Sequence, residues 1–335
     1  MQLKDKRILV IGGTGTIGKS IVQHLLKEKP KLIRILSRDE FKQQQMKSEL
    51  RNNDELKFII GDVREYDSLY TAMQDIDYVL HLAAMKQVDT CEDNPLQAVR
   101  TNIEGTKNVI NAALRQNVKK VVFTSSDKAI SPTNTYGATK LIAEKMISSA
   151  QRNKGEGQTV FATVRFGNVM GSRGSVIPLF KDRIIKDRKI TITDMNMTRF
   201  MMTLNQATTL TIKALKQAKG GEVFVLKMPV IKLGDLTEVL MQEICQKNGI
   251  NPADVDIEII GIRPGEKEYE ELMTFEESKA AWELPDMYVI QGEANMKKLY
   301  GEGRKARVGS YSSMNQKPLT RENLRKLLQE AGLLS

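Results

Sequence analysis

Short apolar runs alternate with amphipathic segments through the first half of the chain. The runs RILVIGG, LIRILSR, LKFIIGD, YVLHLAA, VKKVVFTSS and TVFATVRFGNV have the length and side-chain content of buried strands. Helical periodicity falls between them, near Lys19–Lys27, Phe41–Leu50, Leu96–Arg115 and Tyr136–Asn153. Strands separated by helices indicate parallel βαβ units, and right-handed crossovers then predict a doubly wound α/β sheet.

The alternation stops near Gly171. A Gly-rich turn, GSRGS, is followed by short strand patterns (KITIT, EVFVL, DIEIIG) and by helical patterns at Leu204–Gln217, Leu233–Asn248 and Thr320–Ala331. This mixture predicts a smaller α+β domain that caps the strand ends. We expect a cofactor-binding domain of residues 1–165 plus about 195–225, and a substrate-binding domain of about 166–194 plus 226–335.

Composition excludes several classes of protein. The chain has 335 residues, and no apolar run approaches the roughly 18 residues that span a bilayer, so we expect a cytoplasmic protein without integral membrane contact. The net charge of +10 is scattered, and aromatic residues are only 5 %, which argues against nucleic acid binding. Cys91 and Cys245 lack metal-ligand spacing, so no metal site is predicted.

A glycine motif, GGTGTIG, follows the first predicted strand and opens a helix. Glycine permits positive φ and lets backbone amides approach a pyrophosphate at a helix N-terminus. A tight turn without a ligand is the alternative. The context favours a dinucleotide-binding turn of the Rossmann type. Its predicted cofactor contacts are Gly12, Thr14, Gly15, Thr16, Ile17 and Gly18.

The second strand ends in Ser37-Arg38-Asp39, with Lys42 one turn later. A guanidinium at this position suits a ribose 2′-phosphate, so NADP is favoured, whereas Asp39 keeps NAD open as the less favoured cofactor. Asp62 and Val63 follow the third strand and either contact the adenine or simply end the strand. Further predicted cofactor contacts come from Leu82 and Ala83.

Tyr136 and Lys140 in YGATK lie four residues apart at the start of a helix and share one face. A nearby ammonium lowers the pKa of a phenol, so Tyr136 can exchange a proton with a substrate hydroxyl while a hydride moves to or from a nicotinamide. A Tyr and a Lys often occur at this spacing by chance. Their position behind the glycine motif and the fifth strand makes the pair a strong catalytic candidate.

Ser126, Asp127 and Lys128 end the fifth strand, just before this pair. Hydride transfer alone needs a hydroxyl, a Tyr and a Lys. Removal of water also needs a base and an acid: Lys128 can be the base if burial lowers its pKa, and Asp127 the acid if burial raises its own. The alternative is a salt-bridged surface turn.

Eight segments together resemble one known family. They are GGTGTIGK, SRDEFKQ, GDVRE, HLAAMKQVD, SSDKAISPTNTYGATK, RFGNVMGSRGSVIP, ITDMNMTRFMMT and GIRPGEKEYEELM. They resemble the inverting UDP-N-acetylglucosamine 4,6-dehydratases of pseudaminic acid and surface-polysaccharide biosynthesis, in the extended short-chain dehydrogenase/reductase superfamily. The resemblance implies a lyase in which Lys128 is the base at C5, Asp127 protonates the C6 hydroxyl, and Tyr136 with Lys140 serves oxidation at C4.

The resemblance also implies a nucleotide-sugar site in the second half of the chain. Without it, the basic residues there would be interpreted as solvated charges. The implied substrate contacts are Lys86, Tyr136, Asn168, Val169, Arg173, Thr198, Arg199, Arg263 and Glu266. The resemblance implies that Lys86 contacts the cofactor as well. Ser126 departs from the Thr of many relatives but keeps a hydroxyl. Family members often form dimers or hexamers, so a homo-oligomer is expected.

The predicted reaction is NADP-dependent dehydration of UDP-N-acetylglucosamine to a UDP-4-keto-6-deoxy-HexNAc, with inversion at C5. Two alternatives share the fold. A UDP-sugar 4-epimerase would not need the Asp127-Lys128 pair, and a non-catalytic NADP sensor would usually have lost the Tyr or the Lys of YGATK, both of which are intact.

Overall fold

The predicted alternation of strands and helices is present in the first half of the chain. The computed structural model describes residues 2–51, 53–263, 265–291, 296–301 and 303–334. The first strands are β1 (Arg7–Ile11), β2 (Leu32–Ser37), β3 (Leu56–Ile60), β4 (Tyr78–His81), β5 (Lys120–Ser126) and β6 (Val160–Phe166). Pro264 of the GIRPGEK motif lies outside the described residues.

Helices connect these strands on both faces of the sheet. They are α1 (Thr16–Lys27), α2 (Glu40–Glu49), α3 (Tyr66–Ala72), α4 (Val88–Asp93), α5 (Pro95–Ala98), α6 (Gly105–Arg115) and α7 (Thr135–Asn153). A π-helical segment, Val99–Glu104, joins α5 to α6, so the single helix predicted near Leu96–Arg115 is one continuous helical run. A 3₁₀ turn, Asp127–Ala129, follows β5. The seven-residue α3 was not predicted from the sequence.

The second half contains short strands and longer helices. The strands are β7 (Asn168–Val169), β8 (Lys189–Ile192), β9 (Thr198–Met202), β10 (Val223–Leu226), β11 (Val230–Lys232), β12 (Asp256–Ile259), β13 (Glu271–Met273), β14 (Ala281–Glu283), β15 (Met287–Ile290), β16 (Arg304–Lys305) and β17 (Tyr311–Ser312). The helices are α8 (Val176–Lys186), α9 (Leu204–Gln217), α10 (Leu233–Asn248), α11 (Phe275–Lys279), α12 (Met296–Leu299) and α13 (Arg321–Glu330).

Ten strands of the described residues form the central sheet. Their order is β16-β14-β15-β10-β6-β5-β4-β1-β2-β3, and the segment from β10 to β3 is parallel. The order of β3-β2-β1-β4-β5-β6 is that of the Rossmann fold, which confirms the predicted fold class. The order of the strands reverses between β1 and β4, where folds of this kind bind ligands outside the carboxyl ends of the strands.

Two details differ from the predicted pattern. The run TVFATVRFGNV is interrupted at Gly167, where a Cβ would lie 2.8 Å from the Cβ of Phe200; β7 then leaves the central sheet and pairs with β9. Residues 281–305, which the sequence assigned to the smaller domain, supply β14 to β16, and these antiparallel strands extend the central sheet. The remaining domain boundaries stay a prediction.

Three apolar cores hold these layers together. One face of the central sheet packs against α1 and α9 around Ile21, and the other packs against α6 and α7 around Phe123. The third core lies between α8, α10 and α13 around Leu240 and forms the smaller domain. None of the helices in the described part of the chain has the length and hydrophobicity that crossing a bilayer requires.

Candidate active site

A cavity of about 740 Å³ opens at the carboxyl ends of the parallel strands. It runs from the glycine turn after β1 to the segment that precedes β13, and both halves of the chain line it. Most of the predicted contacts lie along this one cavity. Those lining it are Gly12, Thr14, Gly15, Thr16, Ile17, Gly18, Ser37, Arg38, Lys42, Val63, Leu82, Ala83, Lys86, Ser126, Asp127, Lys128, Tyr136, Lys140, Asn168, Val169, Arg173, Arg199, Arg263 and Glu266.

The glycine turn packs closely against neighbouring backbone atoms, as its sequence predicts. Gly12 has φ +82°, and a Cβ there would lie 2.8 Å from the backbone nitrogen of Ala83. A Cβ on Gly18 would lie 2.6 Å from the carbonyl oxygen of Gly12. Helix α1 begins directly after Gly15 without a side-chain cap, so its first amides face the cavity. Such a helix start suits a pyrophosphate.

Arg38 lies at the other end of this half of the cavity. Its side chain is 59 % exposed, and its nearest charged partner within the described residues is Asp62 at 3.9 Å. Asp39 is already engaged, because it caps α2 by accepting from the backbone nitrogen of Lys42 and pairs with the Lys42 ammonium. An exposed guanidinium at this position is a group that binds phosphate.

Two predicted contacts do not line the cavity. Asp62 accepts hydrogen bonds from the guanidinium of Arg64 at 2.6 and 2.9 Å, and its contact with the adenine stays a prediction. Thr198 places its hydroxyl 2.9 Å from that of Ser313. Both side chains stabilise neighbouring loops in this structure.

Tyr136 and Lys140 lie on the first turns of α7, which Asn134 caps through the backbone nitrogen of Gly137. Lys140 is buried, donates to the carbonyl of Thr124 at 2.5 Å and lies 3.9 Å from the ring centre of Phe123. Burial lowers the pKa of Lys140 to about 7.

The expected effect of a neighbouring ammonium on Tyr136 is present, but its source differs. Burial raises the pKa of Tyr136 overall, while a hydrogen bond with Ser126 and the charge of Lys128 pull it down. The ammonium that acts on the phenol is therefore that of Lys128, whereas the amine of Lys140 is held by Thr124. Tyr136, Ser126 and Lys128 meet at one point of the cavity.

Asp127 and Lys128 form an ion pair in the turn after β5. Lys128 Nζ donates to Asp127 Oδ2 at 3.0 Å, and the hydroxyl of Ser126 donates to Asp127 Oδ1 at 2.7 Å. The pair is not an isolated surface turn, because Asp127 is almost fully buried and both residues line the cavity.

The pKa shifts proposed for this pair from the sequence are wrong in direction. Burial favours a neutral Lys128, but the carboxylates of Asp127 and Glu270 outweigh it and raise the pKa of Lys128 above its usual value. Burial also disfavours the Asp127 carboxylate, yet the Lys128 charge and the surrounding hydrogen bonds lower its pKa. The resting pair is therefore an ammonium and a carboxylate.

Glu270 is the site residue that sequence reasoning missed. It lies before β13, is only 6 % exposed and lines the cavity. Its carboxylate accepts from Lys128 Nζ at 3.2 Å and from Asn168 Nδ2 at 2.8 and 2.9 Å. Burial, and next the Asp127 charge, raise the pKa of Glu270 to about 7. In the acidic run GEKEYEE, no local signal separates this glutamate from its neighbours.

The opposite end of the cavity is lined with arginine. Arg199 donates to the carbonyls of Lys267 and Glu268 at 2.8 and 3.1 Å, which fixes its position on β9. Its guanidinium lies 3.4 Å from Glu266. The segment around Arg173 closes the centre of the cavity, since its carbonyl accepts from Lys86 Nζ at 3.0 Å. Guanidinium groups of this kind bind diphosphates well.

Fold and site together define an enzyme of the short-chain dehydrogenase/reductase fold, of the nucleotide-sugar epimerase and dehydratase type. The chain belongs to the polysaccharide biosynthesis protein family, whose profile matches residues 8–292.

Relatives match almost the whole chain. An uncharacterized membrane protein of Methanocaldococcus jannaschii is 47 % identical, over 99 % of this chain and 97 % of that protein. A UDP-glucose 4-epimerase of Rickettsia felis is 41 % identical, over 97 % of this chain and 95 % of that protein.

Solved structures share the fold. Pen from Bacillus thuringiensis has a TM-score of 0.95 and 56 % identity, with 100 % of both chains covered. A dTDP-glucose 4,6-dehydratase from Streptomyces venezuelae, solved with NAD and TYD bound, has a TM-score of 0.71 and 20 % identity, with 78 % of this chain and 86 % of that chain covered.

Proposed function

We propose that the protein is an NADP-dependent UDP-N-acetylglucosamine 4,6-dehydratase that inverts the configuration at C5. The observation that carries this proposal is the Asp127–Lys128 ion pair beside Tyr136, in a cavity continuous with the glycine turn. Hydride exchange at C4 needs only Ser126, Tyr136 and Lys140. An acid and a base placed next to them suit a second step, the loss of water.

The cofactor would lie along the first half of the cavity. The amides at the start of α1 would hold its pyrophosphate, and Arg38 and Lys42 its 2′-phosphate. Bound NADP would supply the hydride-transfer chemistry that oxidation at C4 and reduction at C6 of the sugar require. Lys140 would support the cofactor ribose and Tyr136 from the buried position that it occupies on α7.

The remaining chemistry belongs to side chains of this protein. Tyr136, polarised by Ser126, takes the proton of the C4 hydroxyl as C4 becomes a ketone. The ketone makes the C5 proton acidic. Lys128 then removes that proton while Asp127 protonates the departing C6 hydroxyl. Arg199 and Arg263 would bind the diphosphate of the substrate.

One observation favours a second candidate, a UDP-sugar 4-epimerase. The relative from Rickettsia felis, 41 % identical over nearly the whole chain, carries that name. An epimerase would return the hydride to C4 from the other side and would leave C5 and C6 unchanged. The two activities therefore give different products from one substrate.

Incubation with UDP-N-acetylglucosamine in deuterated water, followed by proton NMR, distinguishes them. The dehydratase produces a new C6 methyl signal with deuterium at C5, and coupling constants report the configuration there. A UDP-N-acetylgalactosamine product without a methyl signal would establish the epimerase instead.

Lys128→Ala tests the assignment of the base. We expect loss of deuterium incorporation at C5 with unchanged NADP binding, because Lys128 lies beyond the glycine turn. Lys119→Ala is the matched control: Lys119 pairs with Asp77 on the surface and does not line the cavity. Persistent exchange in Lys128→Ala would show that another group removes the C5 proton.

A further inference from the structure

Glu270 connects the smaller domain to the catalytic pair. Two hydrogen bonds to Ser313 fix its backbone. The nitrogen of Glu270 donates to the Ser313 hydroxyl at 3.0 Å, and its carbonyl accepts from the backbone nitrogen of Ser313 at 2.8 Å. The carboxyl group lies 3.2 Å from Lys128 Nζ, whose other carboxylate partner is Asp127 at 3.0 Å. It is far more buried than a surface carboxylate and faces the cavity.

The charges around Glu270 do not balance if both carboxyl groups are ionised. Asp127 and Glu270 share the single ammonium of Lys128, at 3.0 and 3.2 Å. Arg199 Nε lies 3.5 Å from Glu270 but also faces Glu266, and the ammonium of Lys267 is bound by the carbonyl of Ile130. Two buried carboxylates this close repel each other, so the pair holds one proton near neutral pH.

We propose that Glu270 is the final acceptor of the C5 proton, which reaches it through Lys128, and that Asp127 and Glu270 share the single proton used in the elimination. This inference rests on the proposed function. Glu270 acts through Lys128 and is therefore a positioning residue, which need not touch the sugar.

The proton transfers balance within the three residues. At rest, Lys128 is an ammonium, Asp127 is ionised and Glu270 holds the shared proton; when substrate binds, this proton passes to Asp127 and leaves Glu270 ionised. One N–H proton of Lys128 then passes to Glu270, and the lone pair that this leaves on Nζ takes the C5 proton as the C5–H bond breaks. Asp127 gives its proton to the C6 oxygen, the C6–O bond breaks, water leaves and the C5–C6 double bond forms. Lys128 ends as it began.

The elimination leaves Lys128 as an ammonium, Glu270 protonated and Asp127 ionised, which is the resting state. The shift of the proton from Glu270 to Asp127 that starts the next cycle takes place between two carboxyl groups that lie 3.2 and 3.0 Å from the same Lys128 ammonium. The mechanism also explains how a lysine that is held as an ammonium by two carboxylates can work as a base. It never has to lose its charge before the substrate binds.

Glu270→Gln tests the proposal, because glutamine keeps the shape but cannot accept the proton. Substrate-dependent formation of reduced nicotinamide should persist, whereas deuterium incorporation at C5 and methyl formation should fall by roughly 100-fold or more. Glu270→Asp should recover part of the loss. Glu222→Gln is the matched control: Glu222 is equally buried but binds the Lys219 and Gly220 amides outside the cavity.

Two results would overturn the proposal. Wild-type rates of C5 exchange in Glu270→Gln would show that Lys128 needs no acceptor. Loss of nicotinamide reduction together with exchange, in a variant that still binds NADP, would show that Glu270 only shapes the site.

A second measurement does not depend on turnover. In protein labelled with ¹³C at the glutamate carboxyl groups, the resonance missing from Glu270→Gln should titrate with a midpoint of about 7 in the wild type. A midpoint near the usual 4.5 would exclude the shared proton. If the wild-type protein formed no product, the proposed function would fail, and this titration would still decide whether the pair shares a proton.

Discussion

Gly137 packs directly against the backbone of Lys128. A Cβ at Gly137 would lie 2.1 Å from the carbonyl oxygen of Lys128 and 3.1 Å from a side-chain carbon of Pro132. The first turn of α7, which carries Tyr136, therefore rests on the turn that carries the Asp127–Lys128 pair. The absence of a side chain at Gly137 therefore allows Tyr136 to lie close to the Asp127–Lys128 pair.

Gly137→Ala should move Tyr136 away from the Asp127–Lys128 pair. The added methyl group meets backbone, which cannot rotate away, so the turn or the helix must shift at a cost of about 1–3 kcal/mol. The resulting displacement of Tyr136 relative to Lys128 is expected to reduce kcat by roughly 100-fold. Steady-state kinetics and thermal unfolding measure the two effects. Gly301→Ala is the control, since its nearest non-local atom would be 3.7 Å away; equal kcat in both variants would contradict the prediction.

Arg38→Ala should weaken NADP binding and leave NAD binding nearly unchanged. The guanidinium is exposed, has only a distant partner in Asp62 and lines the cavity. Loss of a charge-assisted hydrogen bond to a 2′-phosphate corresponds to an affinity loss on the order of tenfold to 100-fold. Titration calorimetry with both cofactors measures the change.

Arg64→Ala is the control for Arg38→Ala. Arg64 pairs with the same Asp62, at 2.6 Å, but does not line the cavity. Its removal should affect both cofactors slightly and equally. If Arg38→Ala weakened NAD as much as NADP, the proposed role of Arg38 at the 2′-phosphate would be wrong.

Local sequence patterns predict those elements whose signals are local. The helix predicted near Leu204–Gln217 is present over that range; a capping box formed by Thr203 and Gln206 starts it, and amphipathic spacing continues it. Strands β14 and β15 were not recognised as part of the central sheet. Each is three or four residues long, and their place at its edge depends on pairing with β10, about 60 residues earlier in the chain.

The candidate site shows the same limit. The glycine turn and YGATK are compact motifs, so their residues could be placed from the sequence. Glu270 meets Lys128 across 142 positions, and the direction of the Lys128 pKa depends on that contact. Because the charges around Lys128 come from residues far apart in the chain, the local sequence pattern does not indicate the direction of its pKa shift.

Arg165 of β6 binds helix α7, which carries Tyr136 and Lys140, through Glu144. It is fully buried on β6, donates to the carbonyl of Leu272 at 2.8 Å and to Glu277 at 2.9 Å, and pairs with Glu144 of α7. Arg165→Met should destabilise the fold by about 3–5 kcal/mol, because it leaves buried carboxylates without a partner. Denaturant unfolding measures this change.

A surface ion pair provides the comparison for Arg165. Lys213 binds Asp286 at 2.6 Å, but both side chains are partly exposed, so Lys213→Ala should cost at most about 1 kcal/mol.

The double variant Arg165→Met with Glu144→Gln should regain part of the stability lost in Arg165→Met, since one unpaired charge is removed. No recovery would mean that packing, and not charge, accounts for the loss.

Lys140→Met should stabilise the cofactor-free protein at neutral pH while it abolishes activity. Burial lowers the pKa of Lys140 from 10.5 to about 7, so the folded state binds fewer protons than the unfolded state between those values. Wild-type stability should therefore rise with pH across this window. The advantage of Lys140→Met, a few kcal/mol at about pH 7, should shrink toward about pH 10. Lys140→Arg keeps its charge and should show no such rise. Denaturant unfolding at several pH values tests this, and a wild-type stability that stayed level from about pH 7 to about pH 10 would mean that the ammonium of Lys140 is not disfavoured by its burial.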